Sequence, residues 1–79
     1  MAKAYVKVWC QPGQERTVQQ ELLDLDQFMT ADVTAGEQDL ICLVEANSYD
    51  ELLQTVMKRL RAVKGVTRTV TNLILDIEK

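Results

Sequence analysis

The run Leu40-Ile41-Cys42-Leu43-Val44 is apolar without a break. A strand with one face in water alternates, so an unbroken run predicts a strand covered on both faces. A polar stretch, Thr34-Ala35-Gly36-Glu37-Gln38-Asp39, precedes it, and another strand-forming segment precedes that. Gly36 is the residue there that can take the positive φ of a tight hairpin turn. One face of the apolar strand can be covered by helices of the same chain. In 79 residues nothing remains to cover the other face except a second copy. A chain of this size buries only about 60% of its unfolded surface, and association is a common remedy. The expectation is one domain spanning residues 1–79 that lives as an oligomer, with the polar turn at the edge of the contact.

The rest of the chain supplies the partners of that strand. Ala4 to Cys10 reads as the first strand, with Ala4, Val6 and Val8 on one face and Tyr5, Lys7 and Trp9 on the other. Gln11-Pro12-Gly13 breaks it. A helix then starts near Pro12 or Gly13 and runs to about Asp26, with Val18, Leu22 and Leu25 as its apolar stripe and Leu23 widening it. Phe28 to Ala35 and Asp39 to Ala46 are the second and third strands. Ser48-Tyr49-Asp50-Glu51 fits a capping box for a second helix, whose stripe is Tyr49, Leu52, Val56, Leu60 and Val63, with Leu53 and Met57 beside it. Gly65 stops that helix at its C′ position. Val66 to Ile77 is the last strand. Its apolar residues change phase, from Val66 and Val70 to Leu73, Leu75 and Ile77, which requires either a bulge or burial of both faces at different points.

Strand-helix-strand-strand-helix-strand closes as a ferredoxin-like βαββαβ sandwich of the α+β class, a four-stranded antiparallel sheet with two helices on one face. The first and third strands are then central, and Tyr5 and Trp9 help cover the helix-free face. Two such sheets packed face to face make a dimeric α+β barrel.

Charge and chemistry narrow the function. The chain has 12 acidic and 9 basic residues, a net charge of -3, which suits a phosphate backbone poorly. Lys58, Arg59, Arg61 and Lys64 cluster at the end of the second helix, where cations complement the dipole. No leader or apolar span is read in the N-terminal residues, so a cytoplasmic location away from membranes is expected. Cys10 and Cys42 fall in strands and read as reduced, buried thiols, with a disulfide between neighbouring strands as the alternative. With no His and no Cys-x-x-Cys, neither a metal nor a cofactor is expected. No Ser or Cys stands beside a recognisable base, so the expectation is not an enzyme.

Several of these pieces together resemble the effector-binding (RAM) domain of Lrp/AsnC transcriptional regulators. Ala4-Tyr5-Val6-Lys7-Val8 is similar to its first strand, and Pro12-Gly13 to its helix start. Val33-Thr34-Ala35-Gly36-Glu37-Gln38-Asp39-Leu40-Ile41 resembles the family's V-x-x-G-x-x-D-L hairpin, and Leu60 to Val66 its L-x-x-x-x-G-V junction. Thr69-Val70-Thr71, followed by Leu73-Ile74-Leu75, resembles its closing T-x-T strand. The chain departs from the family at Lys64, where Pro is frequent, and at Gln38, where an aromatic is common. The full-length regulators carry a helix-turn-helix domain before this one. Here the first strand opens close to Met1, so a stand-alone form that does not itself bind DNA is expected.

The resemblance implies a homo-oligomer built from dimers, a small amino-acid-like effector held at the hairpin between dimers, and full-length Lrp/AsnC regulators as partners. Thr34, Gly36, Gln38, Asp39, Thr69 and Thr71 are the ligand-binding candidates. A Gly turn offers backbone N–H groups to a carboxylate, and an Asp holds an ammonium in a shielded interface. Thr69 and Thr71 would add hydroxyls from the last strand, from a neighbouring subunit. Turn and strand chemistry alone also accounts for Gly36, Asp39 and the two threonines. A ligand-free assembly module and a small α+β barrel enzyme are the other classes of function, and the ACT domain, which also binds amino acids, is the fold-level alternative.

Overall fold

A computed structural model describes residues 1–75. Its elements are β1 (Ala2–Cys10), α1 (Glu15–Leu23), β2 (Phe28–Val33), β3 (Leu40–Ala46), α2 (Tyr49–Glu51), a π-helical turn over Leu52–Val56, α3 (Met57–Arg61) and β4 (Val66–Ile74). The strands form one antiparallel sheet in the order β2-β3-β1-β4. This is the ferredoxin-like α+β sandwich, with β1 and β3 central as expected.

Alternation does the sorting. Ala4, Val6 and Val8 of β1 and Leu40, Cys42 and Val44 of β3 are buried, and they meet Val18 and Leu22 of α1 and Leu52, Val56, Met57 and Leu60 of the second helical stretch. No polar or charged residue is buried among the described residues. The opposite face carries Tyr5, Lys7 and Trp9, with Tyr5 lying opposite Leu43 on one side and Asn72 on the other. Ile41 and Leu43 are only half-buried there. Leu40 to Val44 is therefore covered on one face and half-covered on the other within one chain.

Several boundaries differ from the sequence reading. Pro12 and Gly13 precede α1 as a turn of their own. Gln14 N–H donates to Gln11 O at 3.0 Å and Gly13 has φ 86°, the pattern of a type II turn with Pro second and Gly third. The helix ends at Leu23, where Asp24 N–H turns back to Gln20 O at 3.2 Å and Leu25 N–H to Leu22 O at 3.0 Å. Ser48 caps α2 as expected, its Oγ accepting from Glu51 N–H at 3.1 Å. The Glu51 carboxylate turns to Asn47 Nδ2 at 3.4 Å, so the reciprocal half of the box goes to that amide.

Gly65 is left-handed at φ 100°, but it lies beyond the helix, inside a turn closed by Val66 N–H on Val63 O at 3.3 Å. The phase change in the last strand is a bulge. Trp9 faces Arg68 while the next residue, Cys10, faces Val66, so Thr67 is the extra residue on β4. Val66 therefore packs toward the core, with Thr69 and Thr71 on its side, while Val70 turns to the helix-free face. Leu75 is exposed, and Ile77 lies outside the described residues.

Candidate functional site

The connection between β2 and β3 is the six-residue loop 34–39, longer than a tight hairpin turn. Gly36 is not at positive φ, so the expected role of a left-handed turn residue is corrected. The loop is shaped by side chains instead. Thr34 N–H donates to Asp39 O at 2.9 Å, Thr34 Oγ1 donates to Gln38 O at 2.9 Å, and Gln38 Nε2 donates back to Thr34 Oγ1 at 3.2 Å. A built Cβ on Gly36 would meet only Gln38 Nε2, at 3.6 Å. Its small size leaves the middle of the loop open beside exposed Ala35 and Glu37.

Asp39 ties this loop to the sheet. Its N–H donates to Val8 O at 3.0 Å, and its Oδ2 accepts from Cys10 N–H at 2.8 Å. Cys10 lies beyond the last β1–β3 pair, Val8–Leu40, so the carboxylate satisfies a backbone donor that β3 no longer reaches. Trp9 adds a second tie, its Nε1 donating to Glu37 O at 2.9 Å. On its other side the ring carries the Arg68 guanidinium, 4.6 Å from the ring centroid. Loop, bulge and edge strand are thus joined through Trp9. Sequence reasoning placed Trp9 on the sheet face but missed this link; the aromatic at the strand end was the only visible signal.

The remaining candidates lie elsewhere in the chain. Thr69 stands opposite Val8 and Thr71 opposite Val6, on the helix-bearing side of β4, and all of β1 separates them from β3. Thr71 Oγ1 points at Met57 Sδ, 3.1 Å away. Thr69 lines a cleft of about 360 Å³ at the free edge of β4, with Arg61, Val66, Thr67 and Arg68. One chain therefore brings Thr34, Gly36, Gln38 and Asp39 together and leaves Thr69 and Thr71 apart from them.

Both cysteines are free and buried. Cys42 faces Val6, four residues along β1 from Cys10, a separation of about 13 Å in a strand. Disulfide geometry is out of reach, which removes the alternative pairing. Burial, with the nearby Asp32 charge second, pushes the Cys42 thiol up to about 12. Burial also raises Cys10, followed by the charges of Asp39 and Glu15.

The model of a family described as "Lrp/AsnC ligand binding domain" matches residues 3–79. The chain belongs to this family. Among its relatives, an uncharacterized HTH-type transcriptional regulator of Pyrococcus abyssi is 31% identical over 65 residues, which cover 82% of this chain and 43% of that protein. The chain thus spans less than half of that regulator's length. A hypothetical protein of Pyrococcus horikoshii has a similar structure, with a TM-score of 0.89 at 28% identity over 98% of this chain and 93% of that one. A feast or famine regulatory protein of M. tuberculosis, complexed with L-methionine, shares the fold, with a TM-score of 0.77 at 23% identity over 98% of this chain and 52% of that one. In this Lrp/AsnC domain the loop 34–39 and the T-x-T strand are both present, held at opposite sides of β1.

Proposed function

We propose that the chain is a small-ligand module of Lrp/AsnC-type regulation, binding an amino-acid-like effector and assembling through its sheet, without contacting DNA itself. The carrying observation is the Asp39 carboxylate. It is half-buried and held rigid, and among the described residues only its Oδ2 is engaged, by Cys10 N–H. A fixed carboxylate with one oxygen to spare suits an ammonium group. The open backbone at Gly36, within the same loop, suits the ligand's carboxylate. L-methionine in the M. tuberculosis regulator supports this class of ligand.

The helix-free sheet face supports assembly. Tyr5, Trp9, Ile41, Leu43 and Val70 lie there only partly covered, with Lys3, Lys7 and Asp32 on the same face. A second copy laid on this face buries these apolar residues and leaves Lys3 and Asp32 toward the rim, while Lys7 sits among them between Ile41 and Val70. Further association of such dimers would bring Thr69 or Thr71 of one copy toward the loop 34–39 of another. Full-length Lrp/AsnC regulators, sharing the same sheet, are the natural partners in the cytoplasm. The apolar filling between sheet and helices favours a binding module over an enzyme.

Calorimetric titration of amino acids tests the ligand reading. Asp39→Asn keeps an acceptor for Cys10 N–H and removes the charge. We expect at least tenfold weaker binding in this variant; an affinity equal to wild type removes Asp39 from the site. Native mass spectrometry of mixtures with a full-length relative tests the regulatory role. Mixed oligomers are expected, and their absence favours the ligand-free assembly module.

A further inference from the structure

The loop 34–39 is fastened at three places. At its neck Thr34 N–H and Oγ1 donate to Asp39 O and Gln38 O. At its base Asp39 N–H donates to Val8 O, and Asp39 Oδ2 accepts from Cys10 N–H. Those contacts close the loop without Trp9. The third fastening is of another kind: the Trp9 indole reaches from the sheet face to Glu37 O at 2.9 Å, in the middle of the loop. Meanwhile the N–H groups of Ala35, Gly36, Glu37 and Gln38 meet no protein acceptor among the described residues.

We propose that Trp9 is a positioning residue of the effector site, fixing the Glu37–Gln38 peptide so that Gln38 N–H is set to receive the carboxylate of an amino-acid ligand. This rests on the amino-acid reading of the loop. The described peptides are all trans, and a planar trans peptide points its C=O and its N–H in opposite directions. Holding Glu37 O on the indole therefore turns Gln38 N–H away from Trp9 and keeps it there. The ring is itself restrained, with the Arg68 guanidinium 4.6 Å from its centroid. A donor oriented before the ligand arrives loses less freedom on binding. The spacing is set by the same strand end. Asp39, the ammonium acceptor, is tied to Cys10, and Glu37 is tied to the preceding residue, Trp9. An α-amino acid carries its two charges a fixed distance apart, so both of their partners have to hang from one frame.

Trp9 is the only tryptophan, so growth on benzothienylalanine, which carries sulfur in place of the indole N–H, removes this one donor and keeps the size of the ring. Trp9→Phe is the genetic counterpart. In both proteins the Glu37 and Gln38 amides should show loosened backbone relaxation, while the amides of β1 and β3 stay as in wild type. Calorimetric titration of L-methionine and L-methioninamide reads the positioning. Wild type should prefer the carboxylate form, and without the indole N–H that preference should narrow roughly tenfold, the worth of one charge-assisted bond. A general loss of packing weakens both ligands alike and leaves the preference unchanged. Unchanged relaxation at Glu37 and Gln38, or an unchanged preference in a wild type that binds L-methionine, overturns the role of Trp9 alone. A wild type that binds neither ligand, nor any other amino acid, overturns the reading beneath it, and the effector role of Trp9 goes with that reading.

Discussion

Gly65 and Gly36 look alike in the sequence, each closing an apolar-polar boundary, yet they carry different burdens. Gly65 is left-handed, and a Cβ there would come within 3.3 Å of Val18 Cγ2. Gly65→Ala should cost about 1–2 kcal/mol from backbone strain alone, read as a shifted midpoint in urea. Gly36→Ala should stay within about 0.5 kcal/mol, since its φ is ordinary and its nearest contact is the flexible end of Gln38. Cys42 offers a second residue-scale outcome. With its thiol pushed up to about 12, roughly one molecule in ten thousand is thiolate at pH 8. A thiol reagent at pH 8 should therefore leave Cys42 unmodified in the folded protein and label it promptly in denaturant. Stability depends on pH through the same group. The folded state gains from the neutral thiol below its ordinary value of 9.0 and loses that gain as pH rises toward about 12.

At the scale of elements, irregularities account for the departures from simple periodicity. The stretch Tyr49 to Arg61 keeps the capping Ser48 and an apolar stripe, but the π turn at Leu52–Val56 rotates α3 relative to α2. Met57 is consequently 3% exposed and Leu53 47% exposed, although both sit beside the stripe by sequence. Met57→Ala should cost about 2–5 kcal/mol, and Leu53→Ala less than about 0.5 kcal/mol, by chemical denaturation. The bulge at Thr67 works the same way on a strand. It turns Val66 toward the core and Val70 away from it, which even spacing alone forbids. A second bulge, at Met29, leaves Thr30 Oγ1 accepting from Leu43 N–H at 3.1 Å in place of a ladder bond.

At the scale of the molecule the open question is the helix-free face. Leu43 sits at its centre, beside Tyr5 and Thr30. Leu43→Lys should leave the fold intact, since the side chain is only half-buried in one chain, and should convert a dimer to a monomer in sedimentation at micromolar concentration. A wild-type chain that sediments as a monomer would remove the sheet-to-sheet assembly, and with it any site shared between copies.

The order of elements, the central place of the Leu40–Val44 strand, the two faces of β1 and the family were legible in the residues, because alternation, capping and the hairpin and T-x-T motifs are local signals. The loop at 34–39 was legible only as a break. Its shape depends on Thr34, Gln38, Asp39 and Trp9 meeting groups up to 29 positions away, and no local pattern encodes such partners. Asp39 was singled out from the hairpin motif, but its bond to Cys10 N–H exists only because β1 and β3 run side by side. The cleft lined by Arg61, Val66 and Thr67 is likewise a product of folding, since a helix end and a bulged edge strand have to be brought together before it exists.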